Sequence, residues 1–245
     1  MNKITALIIT LNEERHIGAC IDAVSDICEE VLVIDSLSTD RTREIAESRG
    51  ARVISNAFPG FGKQKNLGTS QSTNDLILSI DADEQVSPEL KQSILSIKEQ
   101  ETTSAAYSFN ILNYVGDRAV RTCGLYPDTH VRLYDRRQVR WDERAVHEGL
   151  MIKGQVEFLS GDLLHYSYDD IAQIKEKSTR YAKLGAAVYK DKSILFLALK
   201  MLINPIAKFF KTYFLQSGFK DGQLGFMISY YRARETFFKY YWAIK

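Results

Sequence analysis

The sequence predicts an α/β fold, a mixed sheet flanked by helices, with a helical, basic and aromatic-rich C-terminal extension. Three observations support this. Across residues 1–115 short apolar, β-branched runs alternate with helix-like segments, the pattern of parallel strands covered by helices on both faces. From 105 to 164 the pattern changes to strands and turns (SFNILNYVG, HVRLYD, VEFLSG), which predicts a mixed or antiparallel extension. From 169 onward the chain reads as helical. The expected organisation is therefore an α/β region, 1–168, and a helical region, 169–245.

Apolar runs occupy 4–10, 31–35, 52–55 and 76–80, each short and bounded by polar residues, as suits buried strands. Helix-like segments fall at 13–27, 40–49, 63–72 and 88–98. The second has Ser38 or Thr39 as cap and Gly50 as stop. The last has Ser87 as cap and Pro88 at the first helical position, where a missing N–H is tolerated. Ligands of such sheets sit beyond the carboxyl ends of the strands, so the residues after each apolar run are the ones to read for function.

Composition narrows the classes further. With 45% apolar and 26% charged residues, 14 Gly and 4 Pro, the chain is neither collagenous nor disordered and can bury a core without disulfides. Cys20, Cys28 and Cys123 are odd in number and widely spaced, which provides neither a disulfide framework nor a CxxC metal site and fits a reducing, cytosolic setting. The start, MNKITALIITLNEER, has a nine-residue uncharged run and no small-residue cleavage site, and does not read as a signal peptide. The net charge of +1 hides two opposed parts: residues 171–245 hold 14 Lys+Arg against 4 Asp+Glu, and residues 1–170 hold 18 against 27. An acidic body joined to a basic segment suggests an anionic partner for the latter. The longest uncharged run in the basic part is ten residues, against the roughly 20 a membrane span needs.

Acidic residues gather at the strand ends: Asn12-Glu13-Glu14 after the first, Asp35 and Asp40 after the second, Asp81-Ala82-Asp83-Glu84 after the fourth. Close carboxylates repel by roughly 1–4 kcal/mol per pair, so the cluster is costly without a cation. In an extended turn residues i and i+2 point the same way, so Asp81 and Asp83 could face one ion. Hard oxygen ligands favour Mg²⁺, Mn²⁺ or Ca²⁺, and the first two usually share their sphere with phosphates. Asp40 reads mainly as a helix cap. Asp35 ends a buried apolar run, where an unpaired carboxylate is expensive, and is expected to accept hydrogen bonds from a base or ribose. Lys63, Lys65 and Asn66 follow the Pro59-Gly60-Phe61-Gly62 loop and could meet a nucleotide, although solvated lysines are the commoner case.

Four separated blocks, ALIITLNEERHIGACIDAV, VLVIDSLSTDRT, KQKNLGTSQSTNDLILSIDADE and VHEGL, resemble in order and spacing the glycosyltransferase family 2 signature. The resemblance spans about residues 3–150 and implies a GT-A, Rossmann-like fold and inverting transfer from a nucleotide sugar. The later LLHYSYDDIAQIKEKSTRYAKLGA and FKDGQLGFMISYYRARETFFKYY resemble the lipopolysaccharide core beta-glucosyltransferase subgroup. The resemblance implies that Thr10, Asn12 and Glu13 border the base, that Asp35 contacts base or ribose, and that Asp81 contacts ribose or metal. It also implies that Asp83 holds Mg²⁺ or Mn²⁺ on the diphosphate, that His165 approaches the diphosphate or metal, and that Glu148 is the catalytic base; Asp128, in Tyr126-Pro127-Asp128, is the substitute candidate. Many relatives carry glycine where this chain has Leu37.

The expected activity is thus inverting, metal-dependent transfer of a sugar, glucose, from a UDP-sugar to a lipid-linked saccharide acceptor of the lipopolysaccharide inner core. Residues 1–168 would be the nucleotide-sugar-binding and catalytic domain, and 169–245 the acceptor and membrane-association region. Arg132, Lys177 and Arg180 could meet phosphates, although each alone reads more simply as a surface or packing residue. On a helix over 193–216, Lys200, Asn204, Lys208 and Lys211 fall within about 80° of arc, and the rest is apolar. That stripe suits an interfacial helix lying on an anionic membrane surface, kinked at Pro205, with the aromatic stretch from Tyr230 to Trp242 at the headgroups. Packing on the catalytic domain or a homo-oligomer interface is the alternative. These expectations place the protein in the cytoplasm, peripheral on the inner face of the membrane, with no nucleic-acid partner. The competing class is a nucleotide- or lipid-binding adaptor, which would leave the acidic strand ends without purpose.

Overall fold

The structure is a computed structural model that describes residues 2–100, 104–142 and 149–245. They form two compact units, Met1–Ile111 with Asp128–His165, and Leu112–Pro127 with Tyr166–Lys245.

The first unit begins as the sequence predicts. β1 (Ile4–Thr10), α1 (Ile17–Asp22), β2 (Glu30–Asp35), α2 (Thr42–Ser48), β3 (Arg52–Ser55), α3 (Phe61–Gln71) and β4 (Leu76–Asp81) alternate in order. β5 (Glu84–Val86) and α4 (Pro88–Glu99) follow, then β6 (Ala106–Val115), β7 (Arg118–Ala119), β8 (Thr129–Asp135), β9 (Val139–Trp141), β10 (Leu150–Ile152) and β11 (Val156–Tyr168). The large sheet runs β3-β2-β1-β4-β8-β6-β11-β5. Its first four strands are parallel, and β8 pairs antiparallel with both β4 and β6. The α/β class is as expected, and the sheet is mixed.

Period-two alternation explains why the parallel strands are apolar throughout. Ile8, Val33 and Leu78 pack on one face with Ile17, Ile21 and Ile94, whereas Leu7, Leu32 and Ile77 pack on the other with Tyr134 and Trp141. On that second face α3 lies tight against the sheet at Gly68. A Cβ there would sit 2.2 Å from Leu7 Cδ1 and 3.0 Å from Ile34 Cγ1, so only glycine fits.

One helix is shorter than the sequence suggests. Periodicity predicts 13–27, but α1 covers only Ile17–Asp22. Glu13 is instead held from the neighbouring loop, its N–H donating to Thr42 Oγ1 at 2.8 Å. α4 starts as expected, with Ser87 Oγ accepting from Leu90 N–H and Pro88 in its first turn.

In the second unit α5 (Ile171–Ala186), α6 (Ile194–Phe210), a π-helical turn (Lys211–Leu215) and α7 (Gly222–Ile244) follow one another. Asp170 and Ser193 cap α5 and α6. α7 packs against both of those helices, and Val115, Val120, Cys123, Ile174, Leu224 and Ile228 form the core of the unit. Part of the polar stripe of α6 faces α7. Asn204 Nδ2 donates to the Tyr240 hydroxyl of α7 at 2.7 Å. Burial, helped by the charge of Arg232, lowers the Lys208 ammonium. Asn204 and Lys208 of the stripe thus face α7, whereas Lys211 is exposed. Among the described residues no helix is long and apolar enough to cross a membrane.

Candidate active site

The parallel register aligns the ends of three strands: Thr10 is level with Asp35, and Ile9 with Asp81. The loops after β1 and β2 are then laced together. Asn12, at φ 56°, donates its N–H to Ser38 Oγ at 2.9 Å, and its Oδ1 accepts from Thr39 N–H at 2.8 Å. Asp40 accepts from the N–H groups of Thr42 and Glu14; α2 starts at Thr42 with Arg41 at its N-cap, so neither Ser38 nor Thr39 caps it. Leu37, in the same loop, has φ 66° and is 53% exposed, a left-handed backbone in which glycine is at ease and a branched side chain is strained.

A cleft of about 260 Å³ opens at this edge. Thr10, Leu11, Glu13 and Ser36 line one side, Asp81, Ala82 and Asp83 the floor, and Phe58 and Phe61 a wall. The two phenylalanine rings meet edge to face with centroids 4.9 Å apart. Buried at this strand-end edge are three oxygens without a hydrogen-bond partner: Thr10 Oγ1, Asp35 Oδ1 and Asp81 Oδ1. An unsatisfied buried acceptor costs about 1–3 kcal/mol, a cost that the Lys65 ammonium, 3.8 Å from Asp81 Oδ1, offsets in part at that atom.

Asp81 and Asp83 form different hydrogen bonds. The Asp81 carboxylate takes Arg132 Nη2 at 3.3 Å on Oδ2 and has Lys65 Nζ 3.8 Å from Oδ1. Although burial opposes it, the charges of Arg132 and Lys65 hold Asp81 in its ionised form, well below the usual carboxylate range. Arg132 also donates to Glu84 Oε1 at 2.7 Å, and Glu84 Oε2 accepts from Asp81 N–H at 2.8 Å. Burial, with the charge of Asp81 behind it, pushes the Glu84 carboxyl up against the pull of Arg132. Asp83 turns instead to β11, where His165 Nε2 lies 3.1 Å from its Oδ2. Burial works against the imidazolium, yet the hydrogen bond and charge of Asp83 raise His165 above its ordinary value.

Of the residues picked out in the sequence, Thr10, Glu13, Asp81 and Asp83 line the cleft, Asp35 is buried beside Ser38, and His165 reaches Asp83. Lys65 is buried beneath Asp81 and sits 4.4 Å from the centroid of Trp141. Asn12 ties the two loops together. Glu148 lies outside the described residues. Asp128, the substitute base, is hydrogen-bonded to His130 at 2.9 Å. The aromatic wall and the Arg132–Glu84 pair were missed: two phenylalanines around Pro59-Gly60 were the available signal for the first, and nothing local marks Arg132 as buried.

Asp83 and His165, joined by a hydrogen bond of 3.1 Å, carry the oxygen and imidazole donors that a divalent cation could take as ligands. Among the described residues no group of three His, Cys, Asp or Glu that could hold a metal ion is present.

The fold is of the α/β class with an acidic edge at its strand ends, and comparison with known proteins names its family. The family model "Glycosyl transferase family 2" matches residues 5–150. An uncharacterized glycosyltransferase of Rickettsia typhi is 32% identical over 94% of this chain and 82% of its own. The lipopolysaccharide core biosynthesis glycosyltransferase LpsC of Rhizobium meliloti is 25% identical over 91% of this chain and 85% of its own. The chain belongs to glycosyltransferase family 2 and is a glycosyltransferase, which sets aside the adaptor reading. Among solved structures, glucosyl-3-phosphoglycerate synthase of Mycobacterium tuberculosis with Mn²⁺, UDP and phosphoglyceric acid aligns with a TM-score of 0.38 and 25% identity, over 46% of this chain and 43% of that one. S. aureus TarS aligns with a TM-score of 0.47 and 15% identity, over 73% of this chain and 39% of that one. The chain thus spans under half the length of either solved relative.

Proposed function

We propose that this enzyme transfers glucose from UDP-glucose, with inversion and with Mg²⁺ or Mn²⁺, to a lipid-linked saccharide of the lipopolysaccharide inner core. The observation that carries the donor half is the trio of unsatisfied oxygens at the strand ends. The imide N–H of uracil and the hydroxyls of ribose are donors of the kind Asp35, Thr10 and Asp81 lack. Phe58 and Phe61 offer π faces to a planar base. Glu13 borders the same opening, Asn12 keeps its rim in place, and Lys65 brings positive charge up beneath Asp81.

A divalent cation on Asp83 and His165 would draw off negative charge as the diphosphate departs. Glu148 takes the proton from the acceptor hydroxyl, whose oxygen attacks the anomeric carbon on the face opposite UDP. One displacement of this kind inverts the centre and needs no covalent nucleophile. The relationship to LpsC, a lipopolysaccharide core glycosyltransferase, supports the acceptor class. The free thiols of Cys20, Cys28 and Cys123 suit the cytoplasmic face of the membrane, where a lipid-linked acceptor is met.

Thermal denaturation with UDP and Mn²⁺, singly and together, tests the donor site. The pair should raise the melting temperature when neither alone does so fully, and indifference to both would overturn the reading. A panel of nucleotide sugars offered with a lipid-linked core acceptor then tests glucose.

A further inference from the structure

Helix α6 is built inside out. Part of its polar stripe faces α7, where Asn204 bonds Tyr240, and Leu197 is buried. The opposite face carries Leu195, Leu199, Leu202, Ile203, Ile206 and Phe210, each 53–83% exposed. At 100° per residue these six fall within about 100° of arc, along a helix of 17 residues and hence about 25 Å long. An unbroken apolar strip of that size is more than scattered surface leucines provide, and marks an interaction site.

We infer that this face of α6 inserts, parallel to the membrane plane, into the headgroup–acyl boundary of an anionic bilayer. Charge decides the occupant. Residues 171–245 carry 14 Lys+Arg against 4 Asp+Glu, so a second copy of the chain would bring like charge against like. Anionic phospholipids complement the same surface. Exposed Lys190 and Lys192 precede the N-terminus of α6, and exposed Lys211 follows its C-terminus. Cations thus stand at both ends of the strip, with lipid-soluble side chains between them, the layout of a helix lying in an interface. Attachment is therefore mainly apolar, with the lysines guiding the approach, and a stripe of lysines lying on headgroups is not what holds it. The membrane-borne acceptor proposed above gives this attachment its purpose, but the attachment itself needs neither donor nor acceptor.

Vesicle flotation of the full chain tests it, using phosphatidylcholine alone and an equimolar mixture with phosphatidylglycerol. Wild type should float with the mixed vesicles and remain largely bound in high salt. The double variant Leu202→Glu/Ile206→Glu should lose at least about tenfold in partitioning, while keeping the thermal shift with UDP and Mn²⁺ that shows it folded. Wild type that never floats overturns the inference, as does a variant that floats equally well. It is likewise overturned if light scattering finds a dimer that the double variant dissociates and no vesicle binding. A chain that floats but ignores every nucleotide would remove the donor reading and leave this one standing.

Discussion

His165 Nε2 lies 3.1 Å from Asp83 Oδ2; His165 is on β11 and Asp83 is in the turn just before β5, its pairing partner. β11 and β5 are antiparallel with His165 opposite Glu84, which places the imidazole beside the carboxylate one residue earlier. Asp83→Ala should remove the added stabilisation that UDP gains from Mn²⁺ and abolish turnover. His165→Ala should weaken Mn²⁺ binding by about tenfold or more, or about 1.4 kcal/mol, measured by calorimetry in the presence of UDP. Unchanged Mn²⁺ affinity in both variants would remove the metal assignment.

The base is tested by paired substitutions. Glu148→Gln should leave UDP affinity unchanged and lower kcat by about 10²–10⁴-fold. Asp128→Asn should have little effect, since the Asp128 carboxylate is already hydrogen-bonded to His130. The reverse outcome transfers the role to Asp128.

Arg132 is 8% exposed and joins Asp81 to Glu84. Arg132→Met leaves the buried Glu84 carboxylate beside the partly exposed Asp81 carboxylate and should destabilise the fold by up to about 3 kcal/mol. Adding Glu84→Gln removes one of those charges and should recover part of the loss. Denaturant titration of the two variants measures the difference, and no recovery would mean that packing rather than charge dominates at this position.

At Leu37 the left-handed backbone costs a branched residue about 1–2 kcal/mol, partly offset in a Leu37→Gly variant by the greater freedom of glycine when unfolded. The net expectation is a gain of up to about 1 kcal/mol, or a rise of about 2–4 °C in Tm at most for a chain of this size. A lower Tm would show that the leucine makes a contact worth more than its strain.

Glu30 accepts from Thr5 Oγ1, Thr73 N–H and the Arg52 guanidinium. Burial opposes ionisation, but these bonds hold its pKa down at about 2. A carboxyl depressed in the folded state adds stability that is complete above its unfolded pKa and is lost as pH falls through the folded one. The loss should run from about pH 4.5 down to about pH 2 and amount to at most about 3 kcal/mol. Glu30→Gln should flatten that part of the stability–pH curve, as read from denaturant midpoints.

The parallel half of the fold was legible because a strand buried on both faces must be apolar throughout, as β1 and β2 are. The candidate site was legible for a related reason: polar residues directly after such strands, Asp35 and Asp81 among them, lie at the edge where ligands bind. Partnerships across the sheet were not legible. That Asp83 would meet His165 while Asp81 met Arg132 depends on the register of β11 with β5 and on the placing of β8 beside β4, which no local pattern encodes. α6 shows the same limit. Its sequence reveals a polar and an apolar side, but that Asn204 on the polar side meets Tyr240, 36 residues further on, is not written in any local pattern.

Gly68 sets a height. The side chains of Leu7 and Ile34 fill the room that a methyl group at this position would need, so α3 rests on the sheet with only a hydrogen atom as spacer. Lys65 rides on the same helix, one turn earlier, and its reach to Asp81 is gauged by that spacer. Any bulkier residue at position 68 would jack the helix upward and draw the ammonium away from the carboxylate, so a substitution remote from the cleft would mistune the charge at its floor.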